Sequence, residues 1–417
     1  MTAAPAPRRS ASVVLAVLLV AYIFNFLDRQ ILGILGPSIQ ADLGLTNSQF
    51  GAVGGLAFAL LYSALGIPLA YLADRTSRSG VVAGSLAVWS AFTALCGAVT
   101  GFWSLFLCRL GVGVGEAGGV APSYALIADY VPEERRARAL AIFSLGIPLG
   151  LGAGSFVGAH LAHWFGWRTT FVVLGVAGLL LAPVLRLTIR DLPRKPAAAN
   201  EPPLASAFGI LVRKPAFWLL AFASSFSSLC GYGLALWTPK VMMLTFGLDL
   251  VTTGNFLASV LLIGGCAGVF GGGWLADRLG SRDRRWYALL PAVAWLISIP
   301  AWGFGLFAPS ASAAWTLLLI GNAMNILWLG PVITAVQHLV PRPMRATASA
   351  SFLLINNLVG LGVGPWLIGR LSDMLKSHGA DALRDAAVAC LGFYLVAAVL
   401  MFAAVPFLKR SWVADEA

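Results

Sequence analysis

Apolar residues fall in long runs along this chain, and each run ends in glycine, proline or charge. Many runs approach the ~20 residues that a helix needs to cross ~30 Å of hydrocarbon. Twelve predicted spans result. The first six are Val13 to Ile39, Ser48 to Ala73, Gly80 to Val99, Trp103 to Val131, Ala137 to His163 and Thr169 to Leu187. The second six are Pro215 to Phe246, Thr253 to Ala276, Trp286 to Phe307, Ala313 to Val340, Ala346 to Leu371 and Leu383 to Leu408. The pattern predicts an all-α membrane protein.

Composition strengthens that reading. The chain is 59% hydrophobic and 11% charged, against about a quarter charged in an ordinary soluble domain. Its net charge of +11 raises the question of a nucleic-acid partner, and the placement of the charges answers it. Basic residues gather in alternate loops: Arg8 and Arg9; Arg75 and Arg78; Arg135, Arg136 and Arg138; Arg186 to Lys214; Arg278 to Arg285; Arg342 and Arg345; Lys409 and Arg410. The intervening loops are nearly bare, apart from Arg168 and the mixed stretch Arg370 to Asp385. This asymmetry is the positive-inside rule, which puts both termini in the cytoplasm, with a basic surface beside anionic lipid headgroups. Membrane lipids, not nucleic acid, are the expected surroundings, in a bacterial inner membrane and for a chain acting as a monomer. The first run carries charge and precedes no small-residue cleavage site, so it reads as a retained helix. Cys96, Cys108, Cys230, Cys266 and Cys390 all fall within apolar spans without metal or disulfide spacing, as packing residues do. No cofactor or metal is implied.

Arg186 to Lys214 is the one long polar stretch, and Pro193, Pro196, Pro202 and Pro203 predict an extended linker within it. It separates six spans from six, giving residues 1–187, a linker at 188–214 and residues 215–417. The halves share local sequence. Tyr71-Leu-Ala-Asp74-Arg75 recurs as Trp274-Leu-Ala-Asp277-Arg278, 203 positions later (277 − 74), and Pro122 and Val131-Pro132 correspond to Pro331 and Val340-Pro341, 209 positions later (331 − 122). Two parallel six-helix bundles related in this way place a binding site between them, near the bilayer midplane.

Charge inside a span costs roughly 2.5 to 3.5 kcal/mol per group even on the lenient insertion scale, so its presence is informative. The first half contains Asp28, Arg29, Arg109 and Glu116. Asn25, Asp28 and Arg29 share one helical face. Arg109 and Glu116 lie about two turns and ~10.5 Å apart on another, while Gly111, Gly115, Gly118 and Pro122 occupy the opposite face at small-residue spacing. The glycines are expected to pack, and Arg109 and Glu116 to face the cavity. In the repeat, Leu318 stands opposite Arg109 and Asn325 opposite Glu116, so the charge belongs to one half only. A structural quartet of two acids and two arginines is one reading. The other is functional: an arginine in a cavity can grip a carboxylate or phosphate bidentately, and a semi-buried glutamate beside it can exchange a proton.

Gly273-Trp-Leu-Ala-Asp277-Arg278-Leu-Gly280-Ser-Arg282 resembles the signature loop of the major facilitator superfamily. The first copy departs from it, with Ala70 and Ser77 where the two glycines are usual. An acid at a helix end can cap a facing helix while arginines pair with acids on adjacent loops. The expected gate on the cytoplasmic side comprises Asp74, Arg75, Arg78, Asp277, Arg278, Arg282, Asp129, Glu133 and Arg136; the alternative is that these charges only set topology. Asn25-Phe-Leu-Asp28-Arg29-Gln, Arg109-Leu-Gly-Val-Gly-Val-Gly-Glu116-Ala and Ala121-Pro-Ser-Tyr-Ala-Leu-Ile-Ala-Asp129 are similar to the spinster branch, a likeness that continues through Ile147-Pro148-Leu-Gly150. It is specific over the first half of the chain and extends only to the superfamily over the second. The resemblance implies a secondary transporter working by alternating access and coupled to protons. It carries over Asp28, Arg29, Arg109 and Glu116 as coupling and headgroup residues but not the substrate. The favoured cargo is an amphipathic anion such as a lysophospholipid or sphingoid phosphate, with Glu116 and Asp28 as coupling residues and Asn25 and Asn325 joining Arg109 and Arg29 as substrate residues.

Asn322, Asn356, Asn357, Gln337 and His338 are the remaining polar candidates, His338 in a capping or solvated role. The glycines from Gly111 to Gly119 follow no strand and are not a phosphate loop. Trp164, Trp167, Trp237, Trp286 and Trp412 near span ends read as interfacial anchors. Two other functions compete: a proton symporter of small organic anions, and a non-transporting membrane sensor, which the short tails disfavour. An intramembrane enzyme is disfavoured because the spans hold no nucleophile and base pair and no metal cluster.

Overall fold

The computed structural model describes residues 10–192, 209–341 and 344–413. Arg8, Arg9, Arg342 and the middle of the expected linker, 193–208, lie outside the described residues. The described part is helical, without strands. Its spans are α1 (Ala11–Ile34), α2 (Asn47–Arg75), α3 (Arg78–Cys96), α4 (Phe102–Tyr130), then α5 and α6 within Glu133–Thr188, α7 (Pro215–Phe246), α8 (Leu250–Gly280), α9 (Trp286–Leu306), α10 (Ala311–Gln337), α11 (Thr347–Met374) and α12 (Lys376–Ser411). The chain turns between α5 and α6 at Gly166, whose φ of 79° suits glycine. That turn makes twelve crossings from eleven continuous stretches among the described residues.

Hydropathy merges what backbone geometry divides. The first predicted span, to Ile39, is α1 plus part of a separate short helix, Gly36–Leu43, which begins after Leu35 with Pro37 in its first turn. The polar ends of the expected linker are also structured. α6 continues to Thr188, Asp191 accepts from Ser77 and from the Ser79 backbone, and on the far side of 193–208 the buried Leu211 and Lys214 pack on the second half. Burial raises the Asp191 carboxyl, but the donors of Ser77 and Ser79 together with Arg186 outweigh it and hold it below the usual carboxylate range.

Arg168, the exception to the alternating basic loops, is consumed locally. It donates to the carbonyls of Val99 at 2.6 Å and Gly97 at 3.3 Å, at the end of α3, and pairs with Asp42 at 2.9 Å. In the mixed stretch near α12, Arg384 pairs with Asp381 at 3.1 Å and His378 with Asp385 at 2.8 Å. The tryptophans also need correction. Trp164 is exposed, as an anchor would be, but Trp237 is buried and donates to Pro365 O at 2.8 Å, and Trp167 donates to Asp42 at 3.0 Å. Trp412 stacks on His338 with ring centroids 4.4 Å apart. An indole near a helix end takes a protein acceptor in preference to the interface when tertiary packing supplies one.

Within the first half, α1 packs on α5 with Gly150 and Gly154 against the α1 backbone, and α3 packs on α6 through Gly175. The halves meet along three seams at the face opposite the chain ends. Gly33 of α1 lies against the carbonyls of Ala235 and Leu236 in α7; Gly254 of α8 lies against Ser155 in α5; and α2 runs along α11. In that last seam a Cβ at Gly51 would stand 2.4 Å from Pro365 O, at Gly55 2.5 Å from Gly362 O, and at Gly369 2.3 Å from Asn47 O. No side chain fits at such distances.

Helical regularity is interrupted near the centre. α2 breaks at Gly55, α8 and α11 contain π turns at Val260–Gly264 and Asn357–Leu361, and α10 breaks near Leu327. Gly54, Leu261, Leu361 and Trp328 beside these breaks all line one cavity between the halves. Distorted helix turns inside a membrane are tolerated where they line a cavity and are frequent at functional sites.

Candidate functional site

That cavity has a volume of about 170 Å³, and its wall is largely apolar. The first half contributes Arg29, Gln30 and Arg109; the second contributes Ser228, Tyr232, Asn322 and Asn325.

Arg109 is held low in α4 because glycines let that helix sink between its neighbours. Gly111 faces the Phe92 ring, Gly113 the Phe58 backbone and Gly115 the Trp89 backbone, all at distances where a Cβ would collide. The glycine face therefore packs, as its spacing predicts. Arg109 is 2% exposed, its guanidinium lies 5.4 Å from the Phe58 ring, and its Nε and Nη1 have no hydrogen-bond partner. A buried guanidinium with idle donors on a cavity wall has the chemistry to receive an anion.

Arg29 is placed differently. Its guanidinium lies among the rings of Phe26, Phe58 and Tyr62, with centroids 4.7 to 4.9 Å away. Its Nε donates to Glu116 Oε2 at 2.8 Å, and Nη2 stands at the same distance. Glu116 is 0% exposed and does not reach the cavity wall, contrary to the expectation from its shared face with Arg109, because Arg29 stands between it and the space. Removing one member of such a pair would leave a buried charge uncompensated, at a cost of about 3 to 5 kcal/mol.

Asp28 turns away from the cavity toward α3, where Thr93 donates to its Oδ2 at 3.1 Å, and its Oδ1 has no partner. Asn25 is buried against a small recess with Trp89 and Ser123, outside the main cavity wall. The face shared by Asn25, Asp28 and Arg29 is thus divided: one residue reaches the cavity and two lie behind it.

In the second half, Asn325 accepts from Tyr394 OH at 2.8 Å, and Asn322 directs its Nδ2 toward Val260 O at 3.4 Å. Asn356 accepts from Ser228, Gln337 donates to Ser349 at 3.1 Å, and His338 Nδ1 sits 2.9 Å from Thr334 O as a helix cap; these three do not line the cavity.

The loop charges behave unequally in the two copies. Arg78 bonds Asp74 through Nη2 at 2.6 Å and Asp129 through Nη1 at 2.6 Å, tying α2, α3 and α4 together. Arg136 caps α4 at Ala128 O, and Arg75 lies over the Tyr71 ring. In the second copy Arg278 lies over Trp274, and Asp277 and Arg282 make no ion pair among the described residues; Glu133 of the first half likewise makes none. The reason lies in the register: the position matching Arg78 is Ser281, and Arg282 stands one residue further on, in the turn that follows the helix end at Gly280.

A second polar cluster, at the face opposite the chain ends, was missed by sequence reasoning. Lys240 of α7 donates from Nζ to Gln40 Oε1 and to Asn47 Oδ1, both at 2.8 Å; Asn47 Nδ2 donates to Ser372 at 3.0 Å, and the Ser48 N–H to Asp373 at 2.8 Å. These bonds join the halves. Lys240 is the one basic residue between Lys214 and Arg278, and that isolation is the signal that marks it.

Comparison with known proteins places these features. The model of the Major Facilitator Superfamily matches residues 18–365. An MFS-type efflux pump of Mycolicibacterium smegmatis is 36% identical over 384 residues, covering 90% of this chain and 88% of that protein. Human protein spinster homolog 1 is 29% identical over 89% of this chain and 75% of its own length, and a probable L-galactonate transporter of Escherichia coli is 26% identical over 89% and 85%. Among solved structures, a bacterial homolog of the human lysosomal transporter spinster, inward-facing and unoccupied, superposes with a TM-score of 0.89 at 27% identity, covering 99% of this chain and all of that one. The occupied form of that homolog, also inward-facing, gives 0.87.

Proposed function

The chain belongs to the major facilitator superfamily and is a membrane transporter, not an enzyme, and on that premise we propose that it exports an amphipathic anion by proton-coupled alternating access. The observation that carries the anion is Arg109, a buried guanidinium with two idle nitrogens on the wall of the central cavity. The volume of about 170 Å³ is on the scale of an engineered ~150 Å³ cavity that takes benzene. It suits a phosphate or carboxylate headgroup, so a lipid tail would run along apolar helix faces toward the bilayer. The likeness to spinster proteins and to an efflux pump supports a lipid-like cargo and outward direction.

Glu116, with Asp28 behind it, is the proton site. A substrate anion at Arg109 and the Glu116 carboxylate compete for the same local positive field, so that a proton taken up by Glu116 changes the hold on the anion. The halves, 1–187 and 215–417, rock about the cavity. The glycine seams and the Lys240 cluster close one face, and the Arg78 triad braces the first half at the other. By the alternating basic loops, that second face, with both termini, is cytoplasmic in a bacterial inner membrane.

A second reading is a symporter of small organic acids. The cavity volume favours it, as does the likeness to a probable L-galactonate transporter. Tracer flux in proteoliposomes with an imposed pH gradient decides between them. Lysophosphatidate and sphingoid phosphate should move and compete with each other, and Arg109→Lys should weaken binding about 10- to 100-fold, the loss of a bidentate charged bond. If those lipids neither bind nor compete, while small sugar acids are accumulated, the second reading replaces the first.

A further inference from the structure

α7, α10 and α12 meet at the cavity wall across from Arg109. Tyr394 of α12 is buried, and its hydroxyl donates to Asn325 Oδ1 at 2.8 Å. An amide whose oxygen is engaged in this way is fixed in orientation, and its Nδ2 points elsewhere. The amide edge lies beside Gly231 of α7, where a Cβ would stand 2.9 Å from Nδ2 and 3.0 Å from Oδ1. Gly231 and Asn325 both line the cavity, and among the described residues nothing accepts from Asn325 Nδ2. Two other polar groups of this wall are committed: Ser228 donates to Asn356 at 2.9 Å, and Asn322 turns toward Val260 O. Asn325 also stands at the repeat position of Glu116, 209 residues on (325 − 116). Where the first half carries an ion pair, the second carries an oriented neutral amide.

We propose that Asn325, held by the positioning residue Tyr394, donates to a neutral acceptor on the substrate, a hydroxyl or ester carbonyl near the anionic group that Arg109 grips. This rests on the anionic-cargo reading above and narrows it. The cargo carries charge and a neutral acceptor side by side, as a glycerol-based lysophosphatidate does and a simple alkyl phosphate does not. A cavity that leaves the amide unsatisfied disfavours the plain anion.

Equilibrium binding to purified protein in nanodiscs tests this with two probes, oleoyl lysophosphatidate and oleyl phosphate. Wild type should prefer the first by about tenfold, the value of one oriented hydrogen bond. Tyr394→Phe and Asn325→Leu should each bring that ratio close to one. The double variant should add nothing further, since both changes remove the same interaction. Gly231→Ala, whose methyl would displace the amide, should act alike and provides a check should either of the others fold poorly. An unchanged ratio in these variants overturns the assignment, as does an additive double variant, which would make Tyr394 merely structural. Equal binding of both probes to wild type overturns this inference alone and leaves the anion reading standing. Binding of neither removes both.

Discussion

Lys240→Met is the perturbation with the most direct conformational readout. The ammonium donates to Gln40 Oε1 and Asn47 Oδ1, both at 2.8 Å and both across the boundary between the halves. Hydrogen bonds to a charged group contribute about 1.5 to 3 kcal/mol each, so the pair amounts to a gross ~3 to 6 kcal/mol. Lys240 is only partly buried, and holding its charge there already costs desolvation that methionine avoids. The net loss should be about 2 kcal/mol, near a 30-fold shift in the ratio of closed to open at this face. Methionine is one atom shorter but keeps an apolar stem beside the Trp237 ring, 5.9 Å from Nζ, so packing changes little. Spin labels at Ala41 and Ser377, exposed at this face on opposite halves, in a background without the five cysteines, report the change as a longer distance population. Lys240→Arg should retain most of the short population. An identical distance distribution in wild type and Lys240→Met would refute the reasoning, since the bonds would then carry no conformational energy.

Glu116→Gln retains an acceptor for Arg29 and loses the exchangeable proton; it should abolish pH-driven accumulation while substrate binding weakens by no more than about tenfold, as read by flux and binding on one preparation. Full pH-driven transport by this variant would move coupling to Asp28 or deny it. The register difference between the two loop copies predicts unequal thermal stability: Arg78→Gln should cost roughly 1 kcal/mol through its two partners, whereas Arg282→Gln should leave the melting temperature in place.

Much of the fold was legible because hydrocarbon imposes one strong rule on every span. α7 begins and ends where its apolar run does, at Pro215 and Phe246. The bend at Leu35 was not legible, since a change of helix direction leaves hydropathy untouched. Arg109 and its glycine face could be read from spacing within one helix. Glu116 could be found but not aimed, because whether it meets the cavity depends on Arg29 of another helix standing in the way. The same limit applies to Tyr394, Asn47 and Asp373, ordinary residues whose roles arise from partners many positions distant. Lys240 alone of these carried a signal, a single cation in a stretch of chain otherwise without basic residues. Ser281 shows how fine the remaining information is: a repeated motif keeps its letters, and one displaced arginine removes its ion pairs.

The glycine seam between α2 and α11 has an electrical consequence. A carrier that draws on an ion gradient must conduct nothing by itself, and its closed end acts as insulation. At Gly51, Gly55 and Gly369 backbone rests on backbone with no room for a methyl group, and therefore none for a file of water along which protons hop. Side-chain packing relaxes and rotates; two main chains in contact do not. Widening that contact by one carbon would do more than favour another shape: it would turn an insulator into a resistor, and the membrane would run down through a protein that still folds.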